Sequence, residues 1–264
     1  MTTTTPESTR RHPDSVNRHF SRTLLNRTEG CMSTLADGYD IIDLPPISRE
    51  VLDSYDNLPL DVYMGNQTRY KRFSQYKLDH TSDAWSFELL AHRAYSQSRQ
   101  HNTVAGGILR EYEPLQADFL PYVHAVAASL PLDRSESWQV NVHQNRSRAT
   151  EAKPGLVTPE GVHRDGHEYV GILVFNRHNV AGGEMRLWKA LDSSEPFWRG
   201  TVQPGQAALL DDRTVAHDVT DLHPATPGQE GHRDIIIAAF SRWSRGKYGE
   251  EYEQAVLDSE PLAP

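Results

Sequence analysis

The chain of 264 residues is poor in cysteine, in long apolar runs and in net positive charge. Each shortage removes a class of protein. Cys31 is the single cysteine, so no intrachain disulfide forms and a thiolate metal cluster is excluded. It reads as a half-buried filler. No apolar stretch approaches the roughly 18 residues that a membrane-spanning helix needs. The opening "MTTTTPESTRRHPDSVNRHF" has no apolar secretory core, and Arg10–Arg11 leads into no apolar stretch. The expectation is a cytoplasmic protein with no membrane partner. A formal net charge of −9 argues against a nucleic-acid partner, which calls for a basic face. There is no G-x-S-x-G nucleophile motif and no phosphate loop.

The periodicity that is present divides the chain. Residues 1–15 are polar and aperiodic and read as a disordered tail. Residues 16–264 read as one domain. Its N-terminal part, to about residue 135, is expected to be helical. Apolar residues recur at helical spacing from Val16 to Leu35, and the stretch 16–60 is a candidate lid. "GYDIIDLPP" reads as a short strand stopped by prolines, and Ser48 as the N-cap of a helix running to about Tyr55. "TRYKRFSQYKL" reads as a strand with one polar face. The stretch from Glu113 to Pro131 puts Leu115, Phe119, Tyr122, Val123, Val126 and Leu130 on one helical face.

From about residue 137 to 243 strand-like runs take over: "SWQVNVHQNR", "EYVGILVFN", "EMRLWKA", "QAALLDD", "AHDVTDL" and "DIIIAAFSRW". A short C-terminal helix follows. Helices first and strands second make an α+β chain with a mainly β core, a barrel or sandwich buttressed by helices.

Among 13 histidines, one cluster stands out, "GVHRDGHEYVGILVF". His163 and Asp165 are two apart, so in an extended segment they share a face. His217, some 50 residues on at the start of another strand-like run, is the candidate third ligand. Two histidines and a carboxylate form the facial triad of non-haem iron, which leaves positions open for substrate and oxygen. His167 is the alternative to His163. Zinc also accepts this donor set, so a cupin-like metal protein without a cosubstrate is a second reading. Arg233 leads into the apolar "IIIAAF". A guanidinium at the mouth of a β core needs a carboxylate partner, and bidentate capture of a cosubstrate carboxylate would supply one.

With these residues in this order, the chain resembles the Fe(II)/2-oxoglutarate-dependent dioxygenases. Within them it resembles the bacterial branch typified by L-isoleucine dioxygenase, which hydroxylates free amino acids. The resemblance rests on "YKRFSQY", "VHQNRSRAT", "VHRDG", "VGILVFNRHNVAGGE", "VAHDVT" and "HRDIIIAAFS", which run in order from Tyr70 to Ser241. It implies a double-stranded β-helix (a jelly roll) flanked by helices, and the cofactors Fe(II), 2-oxoglutarate and O2. It implies that His163, Asp165 and His217 bind iron, and that Arg233, assisted by Thr220, binds the cosubstrate. It implies hydroxylation of an unactivated C–H of a free L-amino acid, with succinate and CO2 as coproducts. A peptide- or carrier-bound residue is the alternative substrate. Arg146 and Gln144 are the expected substrate-binding residues, with Arg72 and Tyr70 as pocket wall. His167 and Glu168, close to the metal, are expected to contact the substrate, and they leave aliphatic and polar amino acids both open.

Overall fold

The computed structural model describes residues 35–65, 67–82 and 84–259. The expected tail at 1–15, most of the expected helix from Val16, and Cys31 lie outside them.

The longest strands all come from the apolar-alternating runs. They are β2 (Arg69–Thr81), β6 (Trp138–Ala149), β7 (Tyr169–His178) and β14 (Gly231–Arg242). Shorter strands lie around them. β1 (Tyr39–Asp43), β3 (Ala84–Leu89), β4 (Tyr95–Ser96) and β5 (Leu109–Arg110) precede β6. β8 (Val180–Gly182), β9 (Met185–Trp188), β10 (Trp198–Gly200), β11 (Gln206–Asp211), β12 (Ala216–Val219) and β13 (Leu222–Pro224) connect β7 to β14. One seven-stranded sheet has the order β1-β11-β7-β14-β6-β2-β3, and a smaller sheet has the order β10-β9-β12. Every pairing is antiparallel. This is the jelly-roll arrangement, with the short strands folded over one face of the long sheet.

The second face is covered by helices, which explains the apolar run "YVGILVF". A strand buried on both faces loses its alternation and becomes continuously apolar, and every residue from Tyr169 to Phe175 is buried. Leu173 and Phe175 pack with Val123 and Val126 on the helical side. Val170, Ile172 and Val174 pack with Met185, Leu187 and Val219 on the small-sheet side.

The part before residue 135 is less helical than its sequence suggests. It holds α1 (Arg49–Asp53), α2 (Leu120–Ser129) and short 3-10 turns, but it also gives β2 and β3 to the main sheet. α1 is capped as expected, with the Ser48 hydroxyl accepting from the Val51 N–H at 3.3 Å. α2 is ten residues long rather than nearly twenty. Pro121 stands in its first turn, where proline's fixed φ and missing donor suit a helix start, and proline disfavours helix in the residue before it. Before it, Glu113 and Leu115 bond to β2 instead: the Glu113 carbonyl accepts from the Phe73 N–H at 3.0 Å, and the Leu115 N–H donates to the Ser74 hydroxyl at 3.1 Å. The Tyr122 hydroxyl ties α2 to the start of α1, donating to the Pro46 carbonyl and accepting from the Ser48 N–H. α3 (Glu250–Asp258) follows β14. No helix among the described residues is long and apolar enough to cross a membrane.

Candidate metal centre and its cavity

The segment before β7 runs alongside β12. His163 and His217 exchange both backbone hydrogen bonds, at 2.9 and 3.0 Å, so the two imidazoles stand side by side with ring centroids 4.4 Å apart. Asp165 closes the triangle. Its carboxylate lies 3.6 Å from His163 Nε2 and 3.8 Å from His217 Nε2. One donor atom from each residue falls within 4.8 Å of the others, a spacing that one divalent ion can bridge.

Gly166 and Asp212 hold the turn after Asp165. Gly166 has φ +83°, where an L side chain is strained, and a Cβ there would come within 2.4 Å of the His101 ring. The Asp212 carboxylate accepts three consecutive backbone N–H groups, from Asp165 (3.0 Å), Gly166 (2.7 Å) and His167 (3.0 Å). Burial and the nearby Asp165 charge push the Asp212 carboxyl up to about 7, against the pull of those donors.

Within the triangle the charges couple. Burial alone would discharge His163, but its hydrogen bond and charge interaction with Asp165, with Glu160 adding to them, raise it to about 9. Burial, then the His163 charge, lower His217 to about 4. Asp165 lies well below the usual carboxylate range: burial opposes its ionisation, and the His163 hydrogen bond and the surrounding imidazoles outweigh it. A cluster that keeps its carboxylate ionised and one imidazole protonated is prepared for a metal cation in place of that proton.

Arg233 faces the same cavity as the triad. It is 2 % exposed. Among the described residues it has no ion pair, and its Nε has no hydrogen-bond partner. Burial and the adjacent Arg177 lower it to about 10. An unpartnered buried guanidinium is costly, and a ligand carboxylate is the partner that would relieve it. Thr220 is engaged elsewhere. Its hydroxyl accepts from the Glu184 N–H at 3.0 Å, at the corner between β9 and β12, and it does not line the cavity.

The expected substrate wall is corrected by one residue of register. Positions 140, 142, 144 and 146 of β6 do share a face, but it is the face under the helices. Gln144 donates to the Ser54 hydroxyl at 2.8 Å. Arg146 grips Asp234 bidentately, at 2.6 and 2.9 Å, and reaches Asp56 at 2.9 Å. Arg72 pairs with Glu113 and donates to the Asn57 carbonyl. The Tyr70 hydroxyl accepts from Arg148 at 2.8 Å. These groups dock the α1 region onto the sheet. Glu168 is likewise occupied, pairing with Arg245 at 2.9 Å and accepting from the Arg242 N–H. None of these five lines the cavity.

His167 does line it. It is buried, bonded through Nδ1 to the Ser241 hydroxyl at 2.9 Å, and held neutral, lowered to about 3 by burial and then by the Lys247 charge.

The cavity wall comes from the odd positions. Rows run across β14, β6 and β2: Arg233–Ser147–Arg69, then Ile235–Asn145–Lys71, then Ile237–His143–Phe73. A signal for this was present. In "WQVNVHQNRS" the even positions Trp138, Val140 and Val142 are apolar, while the odd positions 139–147 are all polar. A polar face on a strand that is buried throughout belongs to a cavity.

A jelly roll with two histidines and a carboxylate beside a cavity that also holds a buried arginine without an ion pair defines a class, the metal-dependent oxygenases that draw on a carboxylate cosubstrate. The chain belongs to the family described as 2OG-Fe dioxygenase, whose pattern matches residues 52–239. It is therefore an Fe(II)- and 2-oxoglutarate-dependent dioxygenase, and the family's cofactors are Fe(II), 2-oxoglutarate and O2.

Two curated relatives are similar along most of its length. L-isoleucine-4-hydroxylase of Bacillus thuringiensis is 26% identical over 207 residues, covering 74% of this chain and 82% of the relative. 3(1)-hydroxy-L-isoleucine 4-dioxygenase of Pantoea ananatis (strain AJ13355) is 28% identical over 214 residues, covering 73% and 80%. Among solved structures, a bsmA homolog from Methylobium petroleophilum PM1 superposes with a TM-score of 0.62 at 30% identity, covering 72% of this chain and 79% of that one. IDO from Bacillus thuringiensis superposes with a TM-score of 0.60 at 22% identity, covering 78% and 90%, and it supports the fold.

Proposed function

We propose that the enzyme hydroxylates an unactivated C–H bond of a free, uncharged-side-chain L-amino acid. In this reading His163, Asp165 and His217 hold iron and Arg233 holds the far carboxylate of 2-oxoglutarate. The observation that carries it is the cavity itself: the triad and an unpartnered buried arginine open into one space whose other walls include Ile172, Val219, Ile235 and Ile237. The two curated relatives carry isoleucine or hydroxyisoleucine in their names, which supports an aliphatic substrate.

When bound, iron and 2-oxoglutarate supply an oxidant that puts one oxygen atom of O2 into a C–H bond while 2-oxoglutarate becomes succinate and CO2. The chain's part is positional. Asp212 fixes the Asp165 turn, Arg233 orients the cosubstrate, and the branched apolar walls leave room near the metal for an alkyl side chain while excluding water. The cations facing the cavity disfavour arginine and lysine as substrates. A cytoplasmic setting, where iron stays reduced and 2-oxoglutarate is at hand, is the compartment this reading requires.

The test is a panel of free L-amino acids with Fe(II) and 2-oxoglutarate, read as succinate release and a product heavier by one oxygen. Aliphatic members should give both. Arg233→Met should raise KM for 2-oxoglutarate by about a hundredfold, the loss expected for a buried bidentate carboxylate contact. Unchanged 2-oxoglutarate kinetics in that variant would remove the cosubstrate role, and a panel without product would remove the substrate class.

A further inference from the structure

Arg233 accounts for one carboxylate, yet the cavity holds further buried cations. Arg69 is satisfied, pairing with Asp61 at 2.7 Å. Lys71 and Arg110 are not. Lys71 is 5 % exposed and Arg110 1 % exposed, and both line the cavity. Neither has an ion pair among the described residues. Lys71 lies beside the faces of Tyr112 and Tyr95, at 4.9 and 5.5 Å, and feels the charge of Asp61, which Arg69 already holds in an ion pair. Arg110 lies over Tyr95 at 4.5 Å, donates one hydrogen bond to the Gln97 side chain at 3.3 Å, and leaves its buried Nε without a partner. Aromatic faces attract cations but do not replace a carboxylate.

These cations are tied to the metal centre and are distinct from Arg233. Gln97, which accepts from Arg110, donates from its other end to the Asp165 carbonyl at 3.0 Å. Lys71 stands two strands from Arg233 and one row along, roughly 12 Å away by sheet spacings. That is room for a second ligand head beside 2-oxoglutarate. Directly across the β2–β6 pair from Lys71 is Asn145, buried, with its side-chain carbonyl oxygen unpartnered. Opposed residues on neighbouring strands are in contact range. A cation and a free acceptor side by side match the two halves of an α-amino acid zwitterion.

We propose that Lys71 and Arg110 bind the α-carboxylate of the substrate and that the Asn145 side-chain carbonyl accepts from its ammonium group, an inference that rests on the amino-acid reading above. The head group is then fixed on β2, β5 and β6, and the side chain extends toward the metal between Ile235, Ile237 and Ile172. Burial, reinforced by the Arg69 charge, pushes the Lys71 amine well down, a burden that an incoming carboxylate lifts.

The test uses full-length protein loaded with Mn(II) and 2-oxoglutarate, titrated with L-isoleucine, L-leucine, L-valine and L-methionine and with their carboxamides. Wild type should prefer acid to amide by at least about tenfold, the size of one charge-assisted hydrogen bond. Lys71→Met should weaken acid binding about tenfold to a hundredfold, erase the preference over the amide, and leave 2-oxoglutarate affinity within about twofold. Arg110→Met should act in the same direction, and Arg233→Met should show the converse pattern. An unchanged melting temperature in Lys71→Met would exclude misfolding as the cause. If the acid binds as in wild type in both the Lys71 and Arg110 variants, or if wild type binds acid and amide alike, the proposal is overturned. If no free amino acid in the panel accelerates succinate release by the Fe(II)-loaded wild type, the amino-acid reading itself falls and takes this one with it.

Discussion

A single buried carboxylate, Asp61, shows how this cavity manages its charge. It binds Arg69 at 2.7 and 2.8 Å, accepts from the Tyr63 N–H at 3.1 Å and from the Tyr112 hydroxyl at 3.2 Å, and is 2 % exposed. Burial alone would raise its pKa, but the charges of Arg69 and then Lys71, with the hydrogen bonds, bring it below the ordinary carboxylate value. Its folded pKa lies below its unfolded one, near 4. The stabilisation is therefore complete above about pH 4 and is lost as pH falls through the folded value. Asp61→Asn should cost about 3 kcal/mol at neutral pH, because Arg69 is left buried and unpaired. In acid unfolding curves the gap from wild type should close as pH falls through the lowered folded pKa of Asp61 and Asp61 itself protonates. A gap that persists there would mean the pair is not what Asp61 supplies.

Strands decide which of two faces that both carry polar residues sees the substrate. Along β2 and β6, polar residues occupy both faces: Arg72, Gln144 and Arg146 under the helices, and Lys71, Asn145 and His143 toward the metal. Side chains alternate with period two, so a shift of one residue exchanges the sets entirely. Arg146 and Lys71 should then separate experimentally. Arg146→Met leaves Asp234 buried beside only Asn176 and His232, and should cost about 3–5 kcal/mol of stability. It should leave KM for 2-oxoglutarate and for an amino-acid substrate within about twofold. A large KM change at constant stability would return Arg146 to the substrate site. At the same scale, α2 is half the length its apolar periodicity suggests, because Pro121 sets its start and Glu113 and Leu115 bond to β2 instead.

For the whole molecule, ligands that bind only the folded state should raise its stability. His217 lies on the small sheet and Arg233 on the large one, so metal and cosubstrate together would bridge the two layers of the jelly roll. Mn(II) with 2-oxoglutarate at about a hundred times the dissociation constant should add about 2.7 kcal/mol, roughly 5–10 °C in melting temperature for a domain of this size. A chelator should reverse the shift. Arg233→Met should retain the metal increment and lose that of 2-oxoglutarate. If the two increments fail to separate in this way, the carboxylate is held elsewhere.

Local chemistry determined much of this protein by itself. An H-x-D in an extended segment puts two donors on one face whatever surrounds it. Ser48 caps a helix through its own hydroxyl. A run such as "YVGILVF" has to be buried on both sides, and six such runs after residue 137 make a β core. The order of His163, Asp165, His217 and Arg233 was therefore readable as a candidate site. The tertiary structure alone decided which side of each strand the cavity occupies. Alternation specifies that two faces differ but not what covers them. Once α1 and α2 pack over the even-numbered face of β6, Arg146 and Gln144 become struts, and Lys71, Arg110 and Asn145, drawn from three separate strands, meet around the space where a substrate would lie.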